Sequence, residues 1–598
     1  MMRQIQLSEE QLAAVAAQNK AMVLTAGAGS GKTEVVAQRV ERLLENSVQH
    51  GTKVLAVTYT VKAAGELRNR FAETLMDLKD RADVNTIHGF CMDTLKSHGH
   101  LLGWSKNPDV LSRNEDRQSL FTTWLKETGQ EIPEQLGTLF MKMDLARATR
   151  NIHTEDNEWI PNWKLAMESY DSIDFPEMLD RAIELLKDPW MISFIERVYS
   201  DVIIDEAQNL TEAQYELIRA LIGESESQRL STMFVGDQRQ SIVSFAGADP
   251  LIMDRFASDY SARKFALTVN FRSASLILAL GQRVALKMNL PVDTNDGNAI
   301  LASGRIEVAS FEDEATEGSD IADLIRDRIR NGLNPSICGI GEDTSLQAEQ
   351  IGVLARSAAS LRYVKESLIE KGILVSTAST EDEWVSSLAA KCVIAWISSL
   401  AEPEHHSRQR YLGRLLDQDV VDSWSNFAEL FGASPDHSIQ QLSGLDSVST
   451  PNELSKFLNE LRIDDPSWTE DVEQIQSAIH SFGLFANNEV ATLAELHGHL
   501  IRIMRGDSQG PGVRLLTIHK SQGQEFRLVV VIGMNEGQFP DFRAKTVEQH
   551  REELRTFYVA VSRPSRELVL SRARKRETKY GPRGTDASQF LAFAEVTP

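Results

Sequence analysis

Ala26-Gly27-Ala28-Gly29-Ser30-Gly31-Lys32-Thr33 is the stretch of this 598-residue sequence that decides its fold. An apolar run precedes it at 22–25, and apolar residues at helical spacing follow it at 36, 40, 43 and 44. Three glycines permit a tight turn in which successive backbone N–H groups point inward, and the positive end of the following helix adds to their field. The pattern therefore predicts a phosphate-binding loop between a buried strand and a helix.

The last two residues of this loop provide the chemistry that a nucleotide requires. Lys32 would reach the outer phosphates, and the Thr33 hydroxyl would bind Mg²⁺. Ala26 stands where the usual motif has glycine, and a small residue is sufficient there. The alternative is a glycine-rich turn with a solvated lysine, which the flanking strand and helix make less favourable. We expect all eight residues from Ala26 to Thr33 to bind ATP together with Mg²⁺.

Composition is that of an ordinary soluble chain with several domains. Charged residues make up 25% and hydrophobic residues 42% of the sequence, and this length corresponds to about four domains. The net charge of -23 argues against a generally basic nucleic-acid coat. It does not exclude a positive potential inside one groove, so binding to DNA stays open.

Cysteine spacing and the N-terminus restrict the cellular compartment. Cys91, Cys338 and Cys392 are far apart and show no C-x-x-C pattern, which favours neither a disulfide framework nor a zinc site. The N-terminus lacks the apolar core of a signal peptide, and the longest apolar run, 528–534, is too short to span a membrane. We expect a cytoplasmic protein with no membrane partner.

Two sets of short, β-branched runs indicate two parallel sheets. The first set lies at 22–25, 54–58, 202–205 and 233–237, and the second at 305–311, 351–356, 513–518 and 528–533. A long helical segment divides each set, so we predict an α/β fold of two parallel-sheet lobes, each interrupted by a mainly helical inserted subdomain. The predicted limits are 1–90 and 190–280 for the first lobe, 91–189 for its insertion, 281–378 and 506–598 for the second lobe, and 379–505 for its insertion.

Asp205 and Glu206 follow an apolar run at 202–204, where a parallel strand would end at the ligand-binding edge of its sheet. Asp205 can hold Mg²⁺ through water, which leaves Glu206 to orient or deprotonate an attacking water molecule. An acidic pair after a strand is more often a solvated loop. Together with the phosphate loop upstream, it predicts nucleotide hydrolysis.

Further motifs along the chain resemble, in order, those of the UvrD/Rep/PcrA-type superfamily 1 helicases. They are Ala56-Val57-Thr58-Tyr59-Thr60-Val61-Lys62-Ala63-Ala64, Thr86-Ile87-His88-Gly89-Phe90, Val235-Gly236-Asp237-Gln238-Arg239-Gln240-Ser241-Ile242, Asn270-Phe271-Arg272-Ser273, Thr517-Ile518-His519-Lys520-Ser521-Gln522-Gly523-Gln524-Glu525-Phe526 and Tyr558-Val559-Ala560-Val561-Ser562-Arg563. The resemblance extends from Gln11 to Arg563. It implies two RecA-like lobes that close on ATP and move along DNA.

The resemblance implies roles for six residues around the nucleotide. Gln11 would read adenine through a bidentate amide contact, although Ser8-Glu9-Glu10-Gln11 also fits a helix capping box. Gln240 would sense the terminal phosphate, and Arg272 and Arg563 would be arginine fingers from the second lobe. Glu525 would hold the ribose, and Phe271 would stack on adenine.

The resemblance also implies a path for single-stranded DNA and for junctions of single- and double-stranded DNA. The implied contacts are Thr58, Tyr59, Thr60, Lys62, Thr86, His88, Phe90, Phe245, Thr517 and His519. For the aromatic and histidine positions, the alternative is a packed core side chain. The implied activity is ATP-dependent translocation in the 3′ to 5′ direction with strand separation.

Four positions depart from the family pattern. Glu34 stands where a basic residue often stacks over the base, Ala246 replaces an arginine, and Gln522 replaces a lysine. Val243 stands where an aromatic residue is usual, so one stacking surface is also missing. Because stacking contributes about 1–3 kcal/mol per base, we expect a grip on DNA that is weaker or located elsewhere.

The sequence leaves two other functions open. The first is an ATP-dependent switch that does not respond to nucleic acid. The second is the motor subunit of a nuclease-linked complex, for example an anti-phage system of the Gabija kind, since Asp205-Glu206-Ala207-Gln208 resembles the branch that contains such proteins. The sequence does not distinguish DNA repair, recombination and defence.

Overall fold

The computed structural model describes residues 7–46, 51–105, 107–152, 158–288, 303–339, 341–377, 512–577, 581 and 583–594, and six positions between 475 and 496. The predicted second insertion, 379–505, therefore lies almost wholly outside the described residues. Within the described part of the chain, no helix is both long and apolar enough to cross a membrane.

Fifteen strands are described. They are β1 (Ala21–Ala26), β2 (Lys53–Thr58), β3 (Ala82–Thr86), β4 (Asp109–Leu111), β5 (Ser172–Asp174), β6 (Tyr199–Ile204), β7 (Ser231–Gly236), β8 (Arg263–Leu267), β9 (Arg305–Asp313), β10 (Ile351–Ala355), β11 (Val375–Thr377), β12 (Val513–Thr517), β13 (Phe526–Val531), β14 (Pro564–Arg576) and β15 (Arg583–Gly584).

Fifteen α-helices are described alongside them. They are α1 (Glu9–Ala16), α2 (Lys32–Asn46), α3 (Val61–Leu75), α4 (Ile87–His98), α5 (Asn114–Glu127), α6 (Leu136–Ala148), α7 (Trp159–Ser169), α8 (Phe175–Leu185), α9 (Pro189–Val198), α10 (Glu212–Ile222), α11 (Ile252–Asp259), α12 (Ser275–Leu286), α13 (Glu314–Asn331), α14 (Arg362–Glu370) and α15 (Val547–Val561).

The first lobe is a six-stranded, all-parallel sheet in the order β3-β2-β6-β7-β1-β8. The four strands predicted here are confirmed as β1, β2, β6 and β7, and β3 and β8 are the two edge strands that the sequence did not reveal. One apolar cluster joins the sheet to α1, α2 and α3, and a second joins it to α4 and α8–α11. Both faces are therefore covered, as a parallel sheet requires.

Local sequence signals start several of these helices. Ser8 and Thr211 form capping boxes with Gln11 and Gln214, and Thr86 accepts the Gly89 N–H at the start of α4. These polar residues satisfy backbone groups that would otherwise lack partners where the helices leave the sheet.

The insertion in the first lobe has a core of its own. Phe121, Phe140 and Trp163 pack together there, and the cluster spans positions 111–167. Buried Asp174 accepts hydrogen bonds from Arg117, Arg147 and Trp163, which ties this core to β5 and the start of α8. The separate core of the insertion is therefore shorter than the predicted segment 91–189. The helices α4, α8 and α9 pack in the core of the first sheet instead.

The second lobe is a seven-stranded sheet centred on β10, β13 and β14. Its order is β11-β12-β10-β13-β14-β15, and β9 also pairs with β14. All pairs are parallel except β14 with β15. The predicted α/β class with two parallel-sheet lobes is confirmed, and the four strands predicted here correspond to β9, β10, β12 and β13.

The two lobes meet through apolar contacts. Ile242 and Val243, which follow β7 of the first lobe, belong to the buried cluster that contains β13, α12 and α15. Tyr59, at the end of β2, packs against the same cluster. The ligand-binding edge of the first sheet therefore faces the second lobe.

Candidate active site between the lobes

The phosphate loop requires glycine at two positions. Gly29 and Gly31 have backbone φ angles of 79° and 80°, which favour glycine. A Cβ atom on Gly29 would lie 2.8 Å from the Cβ of Arg272, and one on Gly31 would lie 2.6 Å from Nε2 of Gln11. Both glycines thus allow other motifs to approach the loop closely.

Lys32 is the first residue of α2 and contacts both predicted acids. Its Nζ lies 3.1 Å from Oδ1 of Asp205 and also donates to Oε1 of Glu206. Glu206 has a left-handed backbone, with φ of 53°, and its second oxygen accepts from Nε2 of Gln208 at 2.5 Å. The structure therefore brings the lysine of the loop and the acidic pair after β6 into one cluster.

Burial and ion pairing shift the pKa values of these three side chains in opposite directions. Burial by itself would lower the pKa of Lys32, but the attraction of the two carboxylates outweighs it and raises that pKa. Burial raises the pKa of Asp205, whereas for Glu206 the ion pair with Lys32 outweighs burial and holds the pKa below its usual value. Lys32 and Glu206 are thus both charged at neutral pH.

Gln11 is buried, and its capping box is present. Its Oε1 accepts from the Ser8 N–H at 2.9 Å, and its Nε2 donates to the Ser30 carbonyl at 3.0 Å. The amide thus lies against the phosphate loop with both ends bonded to protein atoms. Reading of adenine by Gln11 stays a prediction.

Arg272, for which a place in the second lobe stays a prediction, lies against the phosphate loop in the segment between β8 of the first sheet and α12, which packs in the core of the second lobe. It follows β8, and the Phe271 N–H donates to the Gly29 carbonyl at 2.8 Å. Its Nη1 pairs with Oε1 of Glu525 at 2.9 Å, whereas its Nε is buried with no hydrogen-bond partner. Burial lowers the pKa of Arg272.

Arg563 reaches the same cleft from the second lobe, at the junction of α15 and β14. It is 2% exposed, and its Nη2 donates to Oε1 of Gln240 at 2.8 Å. Its other bonds go to neutral oxygens of Gln524, Val559 and Ser562, and no carboxylate of the described residues forms an ion pair with it. Burial lowers the pKa of Arg563 to about 10, and the charge of Arg272 adds to the effect.

Asp237 connects the acidic pair to Gln240 and the second lobe. Its N–H donates to Oε1 of Gln208 at 3.1 Å, and its carboxylate accepts from Gln240 Nε2 at 3.0 Å and Tyr558 OH at 3.5 Å. A hydrogen-bonded path therefore runs from Glu206 through Asp237 to Arg563.

Arg239 is a cation of this site that sequence reasoning missed. Its Nε lies 2.6 Å from Oδ1 of Asp237, its guanidinium lies 5.6 Å from the ring centre of Tyr558, and its Nη2 would be 3.3 Å from a Cβ on Gly27. The signal that could have found it is a basic residue two positions after a strand-ending aspartate.

These residues form a site that suits a nucleoside triphosphate bound together with a divalent cation. The unpaired guanidinium N–H of Arg272 faces the glycine-rich loop, and the charge of Arg563, which has no carboxylate ion pair among the described residues, acts on Glu206 beside Lys32. Such donors match phosphate oxygens. Thr33 is exposed at the second position of α2, and Asp205 lies beside Lys32, so a hydroxyl and a carboxylate are both available to Mg²⁺.

A cavity of about 590 Å³ lies between the insertion and the first lobe. Three predicted DNA contacts line it, namely Tyr59, His88 and Phe245. Met141 and Leu145 of α6 line it as well, and the sequence did not single them out. Met141 is 70% and Phe245 is 67% exposed, so the cavity offers apolar surface to a ligand.

The structure buries two side chains that are predicted to contact DNA. Phe90 is 6% exposed and packs in the core of the first lobe with Ile87 and Leu95, so the packed-aromatic alternative holds there. Thr58 is 1% exposed, because it ends the buried strand β2. Both side chains are covered by the first lobe, and a DNA contact by either stays a prediction.

The other predicted DNA contacts lie at element ends near the cleft. Thr60 and Thr86 accept backbone N–H groups at the starts of α3 and α4, and Lys62 lies 3.8 Å from Glu66. Thr517 ends β12, two residues before His519.

One aromatic pair bridges the lobes in this region. The rings of Phe245 and His519 meet edge to face at 5.7 Å. The first ring belongs to a 3₁₀ turn of the first lobe, and the second to a 3₁₀ turn after β12. A ligand that stacks on Phe245 would therefore also sense the position of the second lobe.

The departures from the family pattern have defined partners. Glu34 accepts from Arg70 of α3 and from Gln38, so it is already neutralised. Gln522 donates to the Gln240 carbonyl at 3.0 Å and thereby links the lobes. Val243 is buried between the lobes.

Comparison with known proteins agrees with this architecture. The family model for the UvrD/REP helicase N-terminal domain matches residues 7–261, and the model for the UvrD-like helicase C-terminal domain matches residues 450–575. The two matches follow the family order and together cover more than half of the chain.

Curated relatives align along nearly the whole sequence. DNA helicase II of Salmonella typhimurium is 26% identical, and the alignment covers 96% of this chain and 85% of that protein. ATP-dependent DNA helicase PcrA of Bacillus subtilis is 24% identical over 98% of this chain and 85% of its own length. ATP-dependent DNA helicase UvrD1 of Mycobacterium tuberculosis is 23% identical over 98% of this chain and 84% of its own length.

Proposed function

This chain belongs to the UvrD/REP helicase family, and from that premise we propose that it is an ATP-dependent DNA helicase that moves 3′ to 5′ on single-stranded DNA. Its substrates would be ATP, single-stranded DNA and junctions of single- and double-stranded DNA. The observation that carries the proposal is that Lys32 of the glycine-rich loop pairs with Glu206, that Arg272 lies against the same loop, and that the charge of Arg563 interacts with both Glu206 and Arg272.

In this proposal the cations of the cleft bind and orient the triphosphate. Lys32 and the N–H groups of the phosphate loop hold the outer phosphates, and Arg272 and Arg563 neutralise charge that develops on the transferring phosphoryl group. Glu206 orients the attacking water or accepts its proton, because it is partly buried, ionised and paired with Lys32. Phe271, Glu525 and Gln11 contact the base and ribose.

Thr33 and Asp205 are the residues that we propose for Mg²⁺. When bound, the ion supplies neutralisation of phosphate charge and a fixed geometry for the phosphate oxygens. Both residues are placed by the sheet, since Asp205 directly follows β6 and Thr33 lies in the first turn of α2. Hydroxyl and carboxylate oxygens are the ligand types that this ion prefers.

The link from nucleotide to DNA runs through Gln240 in this proposal. Its side chain accepts from Arg563, and its carbonyl accepts from Gln522 of the second lobe. The turn that carries Phe245 begins four residues later and borders the apolar cavity. Lobe movement around the phosphates would therefore shift the surface on which bases stack.

The predicted limits of the two lobes and their insertions remain part of the proposal. The separate apolar core at positions 111–167 supports an inserted subdomain in the first lobe. The DNA-independent switch and the nuclease-linked motor find no support in the reported relatives. Repair, recombination and defence are equally compatible with the site.

The proposal is tested by ATP hydrolysis with and without single-stranded DNA, together with strand displacement on 3′- and 5′-tailed duplexes. We expect DNA to stimulate hydrolysis and the 3′-tailed duplex to be separated preferentially. Lys32→Ala is the inactive control for both assays. Hydrolysis that ignores DNA would favour the switch, and preference for the 5′ tail would overturn the direction.

A further inference from the structure

Arg566 contacts the backbone of Arg272, and we propose that it is a positioning residue for that arginine. The inference rests on the proposed function, in which Arg272 acts on the phosphates. Arg566 itself would touch neither ATP nor DNA. It would act by fixing the turn from which Arg272 projects.

The Arg566 guanidinium donates hydrogen bonds both to a carboxylate and to backbone carbonyls. Its Nε lies 2.9 Å from both Oε1 and Oε2 of Glu342, and its Nη1 donates to the carbonyls of Arg272 and Ser565 at 2.8 Å each. Arg566 is 7% exposed, so these bonds are shielded from water. A planar guanidinium holds such a geometry more rigidly than a single ammonium could.

The turn that carries Arg272 is held from two sides. On the first-lobe side, Asn270 Nδ2 donates to the Ala28 carbonyl at 2.7 Å, and on the second-lobe side the Ala274 N–H donates to the Ser565 carbonyl at 3.0 Å. Arg566 adds a bond to the carbonyl of Arg272 itself. Displacement of a catalytic group by about 1 Å can cost about a hundredfold in rate, so this anchoring has functional weight.

Arg527 provides a matched control for Arg566. Its Nη2 lies 3.0 Å from Oε1 of the same Glu342, and it is also partly buried. Its other bonds go to the carbonyls of Asp343 and Ser345 and to Sγ of Cys338, not to Arg272. Arg527→Gln therefore disturbs the same carboxylate and removes the same charge, while it leaves the bond to Arg272 intact.

The test is a set of single-turnover ATP hydrolysis rates at saturating single-stranded DNA, which remain measurable in slow variants. Arg566→Gln and Arg527→Gln are each made in the wild-type and in the Arg272→Ala background. We expect Arg566→Gln to slow hydrolysis at least about tenfold in the wild type and less than about twofold in Arg272→Ala, with the ATP concentration for half-maximal rate changed less than about twofold. Arg527→Gln should change the rate less than about twofold in both backgrounds.

Equal fractional losses for Arg566→Gln in the two backgrounds would overturn the inference, because the residue would then act independently of Arg272. An equal loss in Arg527→Gln would overturn it too. All assays are run well below the Tm of each variant. Glu342→Gln retains Arg566 but weakens the ion pair that holds its guanidinium, so this variant must reproduce part of the loss in rate. Wild-type hydrolysis in Arg272→Ala would instead refute the proposed function of Arg272.

Discussion

At the scale of single residues, Glu206 is the group on which we expect hydrolysis to depend most. Glu206→Gln should lower DNA-stimulated kcat by about 10²–10⁴-fold, because the amide cannot accept a proton from water. The rate of phosphate release at saturating ATP and single-stranded DNA measures this kcat. Glu66→Gln is the matched control, since that carboxylate lies in the field of Glu206 but pairs with Lys62 instead of Lys32. Turnover at the wild-type rate in Glu206→Gln would contradict the assignment.

Two phenylalanines of the predicted DNA path should respond in opposite ways. Phe90→Ala should reduce the free energy of unfolding by about 3–5 kcal/mol, because its ring is buried in the first core. Phe245→Ala should leave stability nearly unchanged but weaken single-stranded DNA binding by about 1–3 kcal/mol, the contribution of one stacked base. Chemical denaturation and fluorescence anisotropy separate these effects. The reverse pattern would refute both assignments.

The sequence was informative for residues whose chemistry is local. The phosphate loop, Asp205 and Glu206 follow strands directly, so strand and spacing were enough to predict that they meet. The contact between Arg239 and the loop joins residues far apart in the chain and depends on the lobe interface. Burial of Phe90 could not be read from its motif, because an aromatic residue after a helix start fits a core as well as a stacking surface.

At the scale of secondary structure, α6 contributes an apolar surface to the proposed DNA cleft. Met141→Ser and Leu145→Ser together should weaken single-stranded DNA binding several-fold, because both side chains line the same cavity as Phe245. Leu165→Ser is the matched control, since Leu165 is an apolar residue of the same insertion that is 52% exposed and does not line the cavity. Equal loss of affinity in the control would show that the effect is not specific to α6.

Polar and charged residues explain why the sequence missed three of the strands. β3 and β8 are edge strands with polar residues, so they lack the continuous apolar pattern of a buried parallel strand. β14 is central, yet its charged Glu567 is fully buried because Arg328 binds it with bonds of 3.0 and 3.1 Å. Sequence patterns treat such a residue as exposed, and only the tertiary ion pair shows otherwise.

At the scale of the whole molecule, His519 makes the contact between lobes sensitive to acid. Burial, together with the charge of Arg356, lowers the pKa of His519 to about 4. In the unfolded chain His519 therefore binds a proton near pH 6.5, whereas in the folded protein it stays neutral until the pH is close to 4. The contribution of His519 to the free energy of unfolding is fully present above pH 6.5 and decreases as the pH falls towards 4.

Thermal unfolding between pH 7 and pH 4.5 measures this effect. His519→Phe keeps an aromatic ring against Phe245 but does not titrate, so its Tm should fall less steeply with acid than that of the wild type. Parallel profiles for the two proteins would show that His519 does not carry the sensitivity.

In the proposed mechanism, groups from both lobes act on one triphosphate. A crystal structure with Mg²⁺ and a non-hydrolysable ATP analogue tests it most directly. We predict that the terminal phosphate lies within hydrogen-bond distance of Lys32 from the first lobe and of Arg563 from the second, with Arg272 beside them. A triphosphate bound at the loop while Arg563 points away from it would contradict the claim.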